Sequence, residues 1–151
     1  MKKAQILVIV MSLIVSYAYG QQKLCNVNSD GVAIKGYDVV SYFDNKAVKG
    51  KSKYTHTYKE VKYRFITEEN LEKFKTNPTS YLPQYGGWCA YAMGTKGEKV
   101  EMDPKVFEIR NDKLYLFYTS FFTNTYKKWK EEQPEELKQK GNENWEKITK
   151  K

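Results

Sequence analysis

Residues 106–118, VFEIRNDKLYLFY, contain the clearest secondary-structure signal in the chain. Two apolar and aromatic runs, 106–110 and 113–118, flank the pair Asn111-Asp112. Asn and Asp tolerate the positive φ angles that a tight turn between antiparallel strands requires. The stretch therefore predicts a β-hairpin, and the rest of the fold has to pack around it.

A second hairpin is predicted earlier in the chain. Tyr54, His56 and Tyr58 alternate with threonines, and residues 61–65 alternate apolar with charged side chains. This period of two is typical of half-buried strands. The turn between the two strands is expected at residues 59–60.

Short helices are predicted between and after the hairpins. Thr67 can cap a helix that ends near Asn77, Pro78 begins another short one, and residues 88–93 favour a helix that ends at Gly94. The C-terminal residues 119–130 and 135–148 are predicted to form two helices separated by Pro134, with Phe122, Tyr126 and Trp129 at helical spacing. Two hairpins and several short helices without βαβ alternation indicate a small single α+β domain.

The first twenty residues have the pattern of a secretory signal peptide. Lys2 and Lys3 precede an apolar run over residues 6–15 that is too short to cross a membrane comfortably. We expect cleavage after Gly20, export to a periplasm or the medium, and no transmembrane anchor in the mature protein. An uncleaved anchor is the alternative, since Tyr17 and Tyr19 could lie at a membrane interface. Residues 21–31 are predicted to be a flexible lead-in and residues 32–148 the domain.

The chain is basic, with a formal net charge of +8, and lysine carries nearly all of the excess. Arg64 and Arg110 are its only arginines, whereas proteins that read nucleic acids rely on arginine for bidentate contacts. We therefore expect no nucleic-acid binding. The lysines are interpreted as a solvated surface, with weak attraction to an anionic envelope or polymer as the alternative.

Two cysteines enter an exported compartment, where a disulfide between Cys25 and Cys89 is chemically allowed. His56 is the only histidine, so a histidine-rich metal cage is excluded. A Cys/His dyad, or a copper site with Cys89, His56 and the thioether of Met93 or Met102, remains open. A buried structural cysteine and a hydrogen-bonded structural histidine explain the same residues.

Aromatic side chains surround the pair Gly86-Gly87 and predict a binding surface. Tyr85, Trp88 and Tyr91 are rigid and amphipathic, as contact residues often are. No catalytic motif accompanies them, because the paired glutamates of the chain are interpreted as helix caps or solvated charge. A non-enzymatic binding domain for a metal ion, a small molecule or a protein is therefore the leading hypothesis. A Cys89-based redox protein or enzyme is the alternative.

Several segments, taken in order, resemble the YHS domain family in the version found as small stand-alone exported bacterial proteins. The resemblance extends roughly from Val32 to Trp145. It is carried by residues 32–43, VAIKGYDVVSYF; 63–65, YRF, continuing through Glu69-Asn70 to Phe74; 77–78, NP, with Tyr81; 83–91, PQYGGWCAY; 113–116, KLYL; and 144–145, NW. The segment 83–91 is the most distinctive.

The resemblance implies a small α+β fold and a link to metals, because related domains accompany copper-transporting ATPases and some oxygenases. The metal-binding members resemble Phe-Cys-Ser-x-x-Cys after the hairpin, where this chain has residues 65–70, FITEEN. Ile66 cannot ligate a metal, and neutral Asn70 is a poor partner for soft ions. A cysteine-type zinc site is therefore not expected, while copper binding elsewhere remains a hypothesis.

Overall fold

Both predicted hairpins are present in the computed structural model, which describes residues 24–150. Strand β1 (Lys51–Tyr58) pairs antiparallel with β2 (Val61–Phe65), and β3 (Asp103–Arg110) pairs with β4 (Lys113–Phe117). The turn residues Lys59, Glu60, Asn111 and Asp112 all have positive φ. That conformation matches the twist of two antiparallel strands joined by two residues.

Four α-helices begin and end within residues 24–150. They are α1 (Glu68–Thr76), α2 (Ala90–Thr95), α3 (Thr125–Glu131) and α4 (Pro134–Thr149), and short 3-10 turns occur at Ile34–Gly36, Ser41–Asp44, Pro78–Ser80 and Gln84–Gly87. Thr67 caps α1 as predicted, because its hydroxyl accepts a 3.1 Å hydrogen bond from the backbone N–H of Asn70. The chain is a small single α+β domain with two hairpins and two C-terminal helices, which confirms the predicted fold class.

The first C-terminal helix begins later than its sequence pattern predicts. Residues 119–124 form a turn closed by pairing between Thr119 and Asn124, and Phe122 is exposed instead of sharing a helix face with Trp129. The side chain of Asn124 accepts a 3.0 Å hydrogen bond from the backbone N–H of Lys127. This cap fixes the start of α3 at Thr125.

The segment predicted to be a flexible lead-in packs against the domain over its described part, residues 24–31. Asn26 is buried, and its backbone N–H donates to the carbonyl of Gly86 at 2.8 Å. The indole N–H of Trp88 donates to the carbonyl of Leu24 at 2.8 Å. The predicted signal peptide, residues 1–20, lies outside the described residues. No helix within residues 24–150 has the length and apolarity needed to span a membrane.

Strand β4 is buried on both faces and connects two hydrophobic clusters. Leu114 and Leu116 belong to a first cluster with the β1–β2 hairpin and α1, whereas Tyr115 and Phe117 belong to a second cluster with α2, α3 and α4. Alternate side chains of a strand leave on opposite faces, so one strand can supply both clusters. Residues 83–89 run beside β4, with parallel bridges from Pro83 to Leu114 and from Cys89 to Leu116.

Candidate functional site

A groove lies between the 3-10 turn Gln84–Gly87 and the C-terminal half of α4. Its volume is about 380 Å³, within the range of small-molecule sites. It is lined by Pro83, Gln84, Tyr85, Gly86, Asn142, Trp145, Glu146 and Thr149. The groove therefore includes part of the most distinctive segment of the YHS resemblance.

Two glycines, Gly86 and Gly141, lie where segments beside the groove pack closely against each other. A side chain at Gly86, which has a φ of +61°, would place its Cβ 2.5 Å from the carbonyl oxygen of Leu24 and 3.1 Å from the ring of Trp145. Across the groove, a Cβ at Gly141 would lie 2.7 Å from the hydroxyl of Tyr85. Glycine at these positions lets the 83–87 turn, the lead-in and α4 meet.

Three residues that line the groove, Gln84, Asn142 and Trp145, carry side-chain N–H donors. Within residues 24–150, the indole N–H groups of Trp88 and Trp129 donate to Leu24 and Glu108, but that of Trp145 has no acceptor. The side-chain amide of Gln84 likewise has no partner in this part of the chain. Asn142 uses its amide oxygen to accept from Tyr85 at 3.1 Å. The groove can therefore offer N–H donors beside an aromatic ring.

The three aromatic residues predicted to form one binding surface contact three different parts of the molecule. Tyr85 lines the groove, although its hydroxyl is tied to the carbonyl of Lys138 at 3.2 Å and to Asn142. Trp88 packs against the lead-in through its bond to Leu24. The hydroxyl of Tyr91 donates to Glu132 at 2.9 Å. Of the three, Tyr85 alone belongs to the groove.

The thiol of Cys89 is buried, and it has both a hydrogen-bond donor and a hydrogen-bond acceptor beside it. Its Sγ accepts from the backbone N–H of Tyr118 at 3.3 Å and lies 3.4 Å from Oγ1 of Thr125. The Thr125 hydroxyl donates its own hydrogen to the carbonyl of Tyr118 at 2.7 Å, so the thiol is the donor toward Thr125. Cys89 therefore joins α2 to the start of α3 as a satisfied core thiol.

The residues considered for a copper site have separate surroundings. Met93 is buried one helical turn after Cys89 and donates its backbone N–H to the Cys89 carbonyl at 3.1 Å. His56 lies on β1, opposite Tyr63, with its ring centroid 6.3 Å from that of Phe74 in the first cluster. Met102 also belongs to that cluster. Among residues 24–150, no three His, Cys, Asp or Glu side chains are grouped as metal ligands.

Both cysteines are free thiols, so the allowed disulfide is not formed. Cys89 is fixed by Tyr118 and Thr125. Cys25 instead packs against the first cluster, beside Gly86. Burial raises the pKa of the Cys25 thiol, and the positive charge of Lys99 opposes this rise.

Ile66 and Asn70, which stand where the YHS resemblance would place the cysteines of its metal-binding members, both contact a buried carboxylate. Asp38 is fully buried. Its Oδ2 accepts from the backbone N–H of Ile66 and from Nδ2 of Asn70, both at 2.8 Å. Its Oδ1 accepts from the backbone N–H groups of Val40 and Ser41 at 2.8 and 3.3 Å. Four N–H donors thus stabilise the Asp38 carboxylate beside the two positions where no cysteine-type zinc site is expected from the sequence.

Sequence reasoning missed the contribution of α4 to the groove. Asn142, Trp145, Glu146 and Thr149 recur three or four residues apart and therefore form one stripe on a helix. This spacing could have indicated a shared helix face. The residues on the other side of the groove, however, lie about sixty positions earlier in the chain. Only packing of α4 against the turn at Gln84 reveals the site.

Comparisons of the chain with protein-family models, curated proteins and solved structures found no match. The resemblance to the YHS domain family therefore remains a prediction from the sequence motifs.

Proposed function

We propose that this chain is an exported, non-enzymatic YHS-like binding domain that takes a small uncharged polar molecule in the groove between Gln84 and Trp145. The observation that carries the proposal is a groove of about 380 Å³ whose lining residues Gln84, Asn142 and Trp145 carry N–H donors beside the Trp145 ring. An aromatic face combined with a few polar groups is the usual composition of a small-molecule site. Such donors favour a ligand with hydroxyl or carbonyl oxygens.

The charge distribution of the groove supports an uncharged ligand. Glu146 is the one acidic residue of its lining. A hydrogen bond and the positive charge of Lys150 lower the pKa of Glu146, so this carboxylate is ionised at neutral pH. The Glu146–Lys150 pair is close to neutral overall, so the groove has no net charge that would select an ionic ligand, and a cationic ligand would have to compete with Lys150 for the carboxylate.

The same lining supports binding without catalysis. Glu146 is the single carboxylate among the described residues that line the groove, and burial raises the pKa of the Tyr85 phenol well above its ordinary value. A group with a pKa that far from neutral is a poor proton-transfer catalyst. Cys89, the nucleophile of the alternative hypothesis, is buried between α2 and α3.

The test begins with the full chain produced in a bacterial host with its native N-terminus. Intact-mass analysis of secreted material is expected to show Gln21 as the first residue. Neutral polyols, saccharides, amides and nucleosides are then screened by NMR on labelled protein. At least one class should shift the Trp145 indole signal and the side-chain amide signals of Gln84 and Asn142.

Variants test whether a ligand binds in the groove or elsewhere on the surface. Trp145→Ala and Gln84→Ala are expected to weaken binding of a hit at least tenfold, since each removes a lining donor. Gln139→Ala, an exposed amide on the same helix, is the matched control and should leave affinity unchanged. A ligand that shifts signals elsewhere and binds both groove variants normally would refute this assignment.

A further inference from the structure

Two adjacent phenylalanines, Phe121 and Phe122, protrude from the domain surface. Their exposed fractions are 94% and 91%, whereas Val48, the other large exposed hydrophobic residue described, is 38% exposed. The two rings contact each other edge to face, with centroids 4.9 Å apart. These two side chains, called the tip below, lie outside both hydrophobic clusters.

The turn that presents these rings is anchored at its base. Ser120 and Thr123 exchange backbone hydrogen bonds of 2.8 and 3.4 Å across the tip. Directly beneath, Thr125 binds the carbonyl of Tyr118 through both its backbone N–H, at 3.1 Å, and its hydroxyl, at 2.7 Å. A closed turn on a buried base holds the phenylalanines outward, so their exposure is a feature of the fold.

The charge beside the tip is mixed and positive on balance. Helix α3 begins four residues after Phe121 and carries the exposed lysines Lys127, Lys128 and Lys130. The acidic residues at its end are Glu131, which lies 3.9 Å from Lys127, and the following Glu132, which accepts a hydrogen bond from Tyr91. The expected cleavage after Gly20 removes Lys2 and Lys3 and lowers the net charge of +8 to +6. A negatively charged surface is therefore the complementary partner.

The apolar area of the tip is too small for a stable protein interface and favours a membrane surface as the partner. Two phenylalanine side chains bury at most about 150–250 Å² each, well below the roughly 800 Å² per partner of a stable protein interface. A lipid surface accepts a small convex apolar tip without a matching pocket, and nearby lysines add attraction to anionic headgroups.

We propose that the Phe121-Phe122 turn docks the domain onto an anionic phospholipid surface. The two rings enter the boundary between headgroups and acyl chains, while the lysines of α3 stay at the level of the phosphates. The attachment is peripheral and reversible, and it does not depend on the ligand proposed for the groove.

The experiment measures co-sedimentation of the secreted protein, expected to begin at Gln21, with vesicles of phosphatidylglycerol and phosphatidylcholine, or of phosphatidylcholine alone. Phe121 and Phe122 are changed to serine together, and Val48→Ser is the matched control. Intact mass confirms that residues 1–20 are absent from all three proteins, because their apolar run could itself bind lipid.

We expect the double variant to lose at least tenfold in affinity for the anionic vesicles with an unchanged melting temperature, because neither ring packs in a cluster. Wild type and Val48→Ser should bind alike and should weaken in high salt. Equal binding of wild type and double variant, or equal binding to neutral vesicles, would overturn the proposal. So would the absence of vesicle binding, including the case in which the chain instead self-associates through the two phenylalanines.

Discussion

The side-chain amide of Asn70 donates a 2.8 Å hydrogen bond to Oδ2 of Asp38 and so ties the first turn of α1 to a loop 32 residues earlier. Both residues are buried. The same carboxylate accepts the backbone N–H of Ile66 at the end of β2 and that of Val40 before the second 3-10 turn. A single side chain therefore connects three elements of the first cluster.

Replacement of Asp38 by asparagine should destabilise the domain by about 2–4 kcal/mol. The new NH₂ group would face N–H donors in place of an acceptor oxygen, which leaves buried donors unsatisfied. Equilibrium unfolding in urea measures the change. Asp44→Asn, at an exposed carboxylate in the next turn, is the matched control. Similar unfolding free energies for the two variants would show that the Asp38 network contributes little.

Cys89 is expected to be a structural residue. Cys89→Ala should lower the unfolding free energy by about 1–3 kcal/mol, because the N–H of Tyr118 loses its acceptor. Cys89→Ser should cost less, since a hydroxyl can retain part of both hydrogen bonds. In the Cys25→Ser background, iodoacetamide should label native Cys89 slowly at neutral pH, as it is fully buried. Rapid labelling of the folded protein would favour the reactive-thiol hypothesis instead.

Gly94→Ala should destabilise the domain even though alanine is the better helix former. Intrinsic propensity favours alanine by about 1 kcal/mol. A Cβ at this position would, however, lie 2.5 Å from the carbonyl oxygen of Leu137 on α4. Because backbone cannot move aside cheaply, we expect a net loss of about 1–3 kcal/mol.

Thermal and urea unfolding compare Gly94→Ala with Thr95→Ala, an exposed change on the same helix. Thr95→Ala should alter the unfolding free energy by no more than about 0.5 kcal/mol. A Gly94→Ala protein more stable than wild type would mean that α2 and α4 can separate without loss.

Stability should fall in alkaline solution because buried phenols resist ionisation. Burial raises the pKa of Tyr115 to about 12 and also raises the pKa values of Tyr42, Tyr63 and Tyr85. These folded-state pKa values exceed the unfolded value of about 10. The contribution of these buried phenols to the unfolding free energy is therefore complete below about pH 10. It is lost as the pH rises through the folded-state pKa.

Tyr115→Phe isolates one of these phenols. Between about pH 10 and 12, each such tyrosine should contribute close to 1.4 kcal/mol per pH unit to the loss of unfolding free energy. Urea unfolding as a function of pH should therefore give a shallower alkaline slope for the variant and an unaltered slope near neutrality. Identical slopes for variant and wild type would contradict the argument.

Local features of the fold could be predicted because few neighbours decide them. The Asn111-Asp112 turn depends on the ability of those two residues to adopt positive φ, and the start of α1 depends on Thr67 capping the N–H of Asn70. Such preferences operate over three or four residues. The α+β class and both hairpins followed from them.

The helix predicted over 119–130 shows where local periodicity misleads. Phe122, Tyr126 and Trp129 have helical spacing, but the cap at Asn124 starts α3 after Phe122. An apolar residue at the right spacing indicates a helix face only if it packs, and Phe122 is exposed. The spacing alone could not separate a core residue from a protruding one.

The sequence by itself determined both hairpin turns, the Thr67 cap and the order of short elements, since each depends on the dihedral preferences of adjacent residues. Tertiary structure alone decided that β4 is buried on both faces and that Asp38 meets Asn70. It also decided that Gln84 and Trp145 share a groove. These contacts join residues tens of positions apart, and they form only when side chains of several elements fill one interior at close packing.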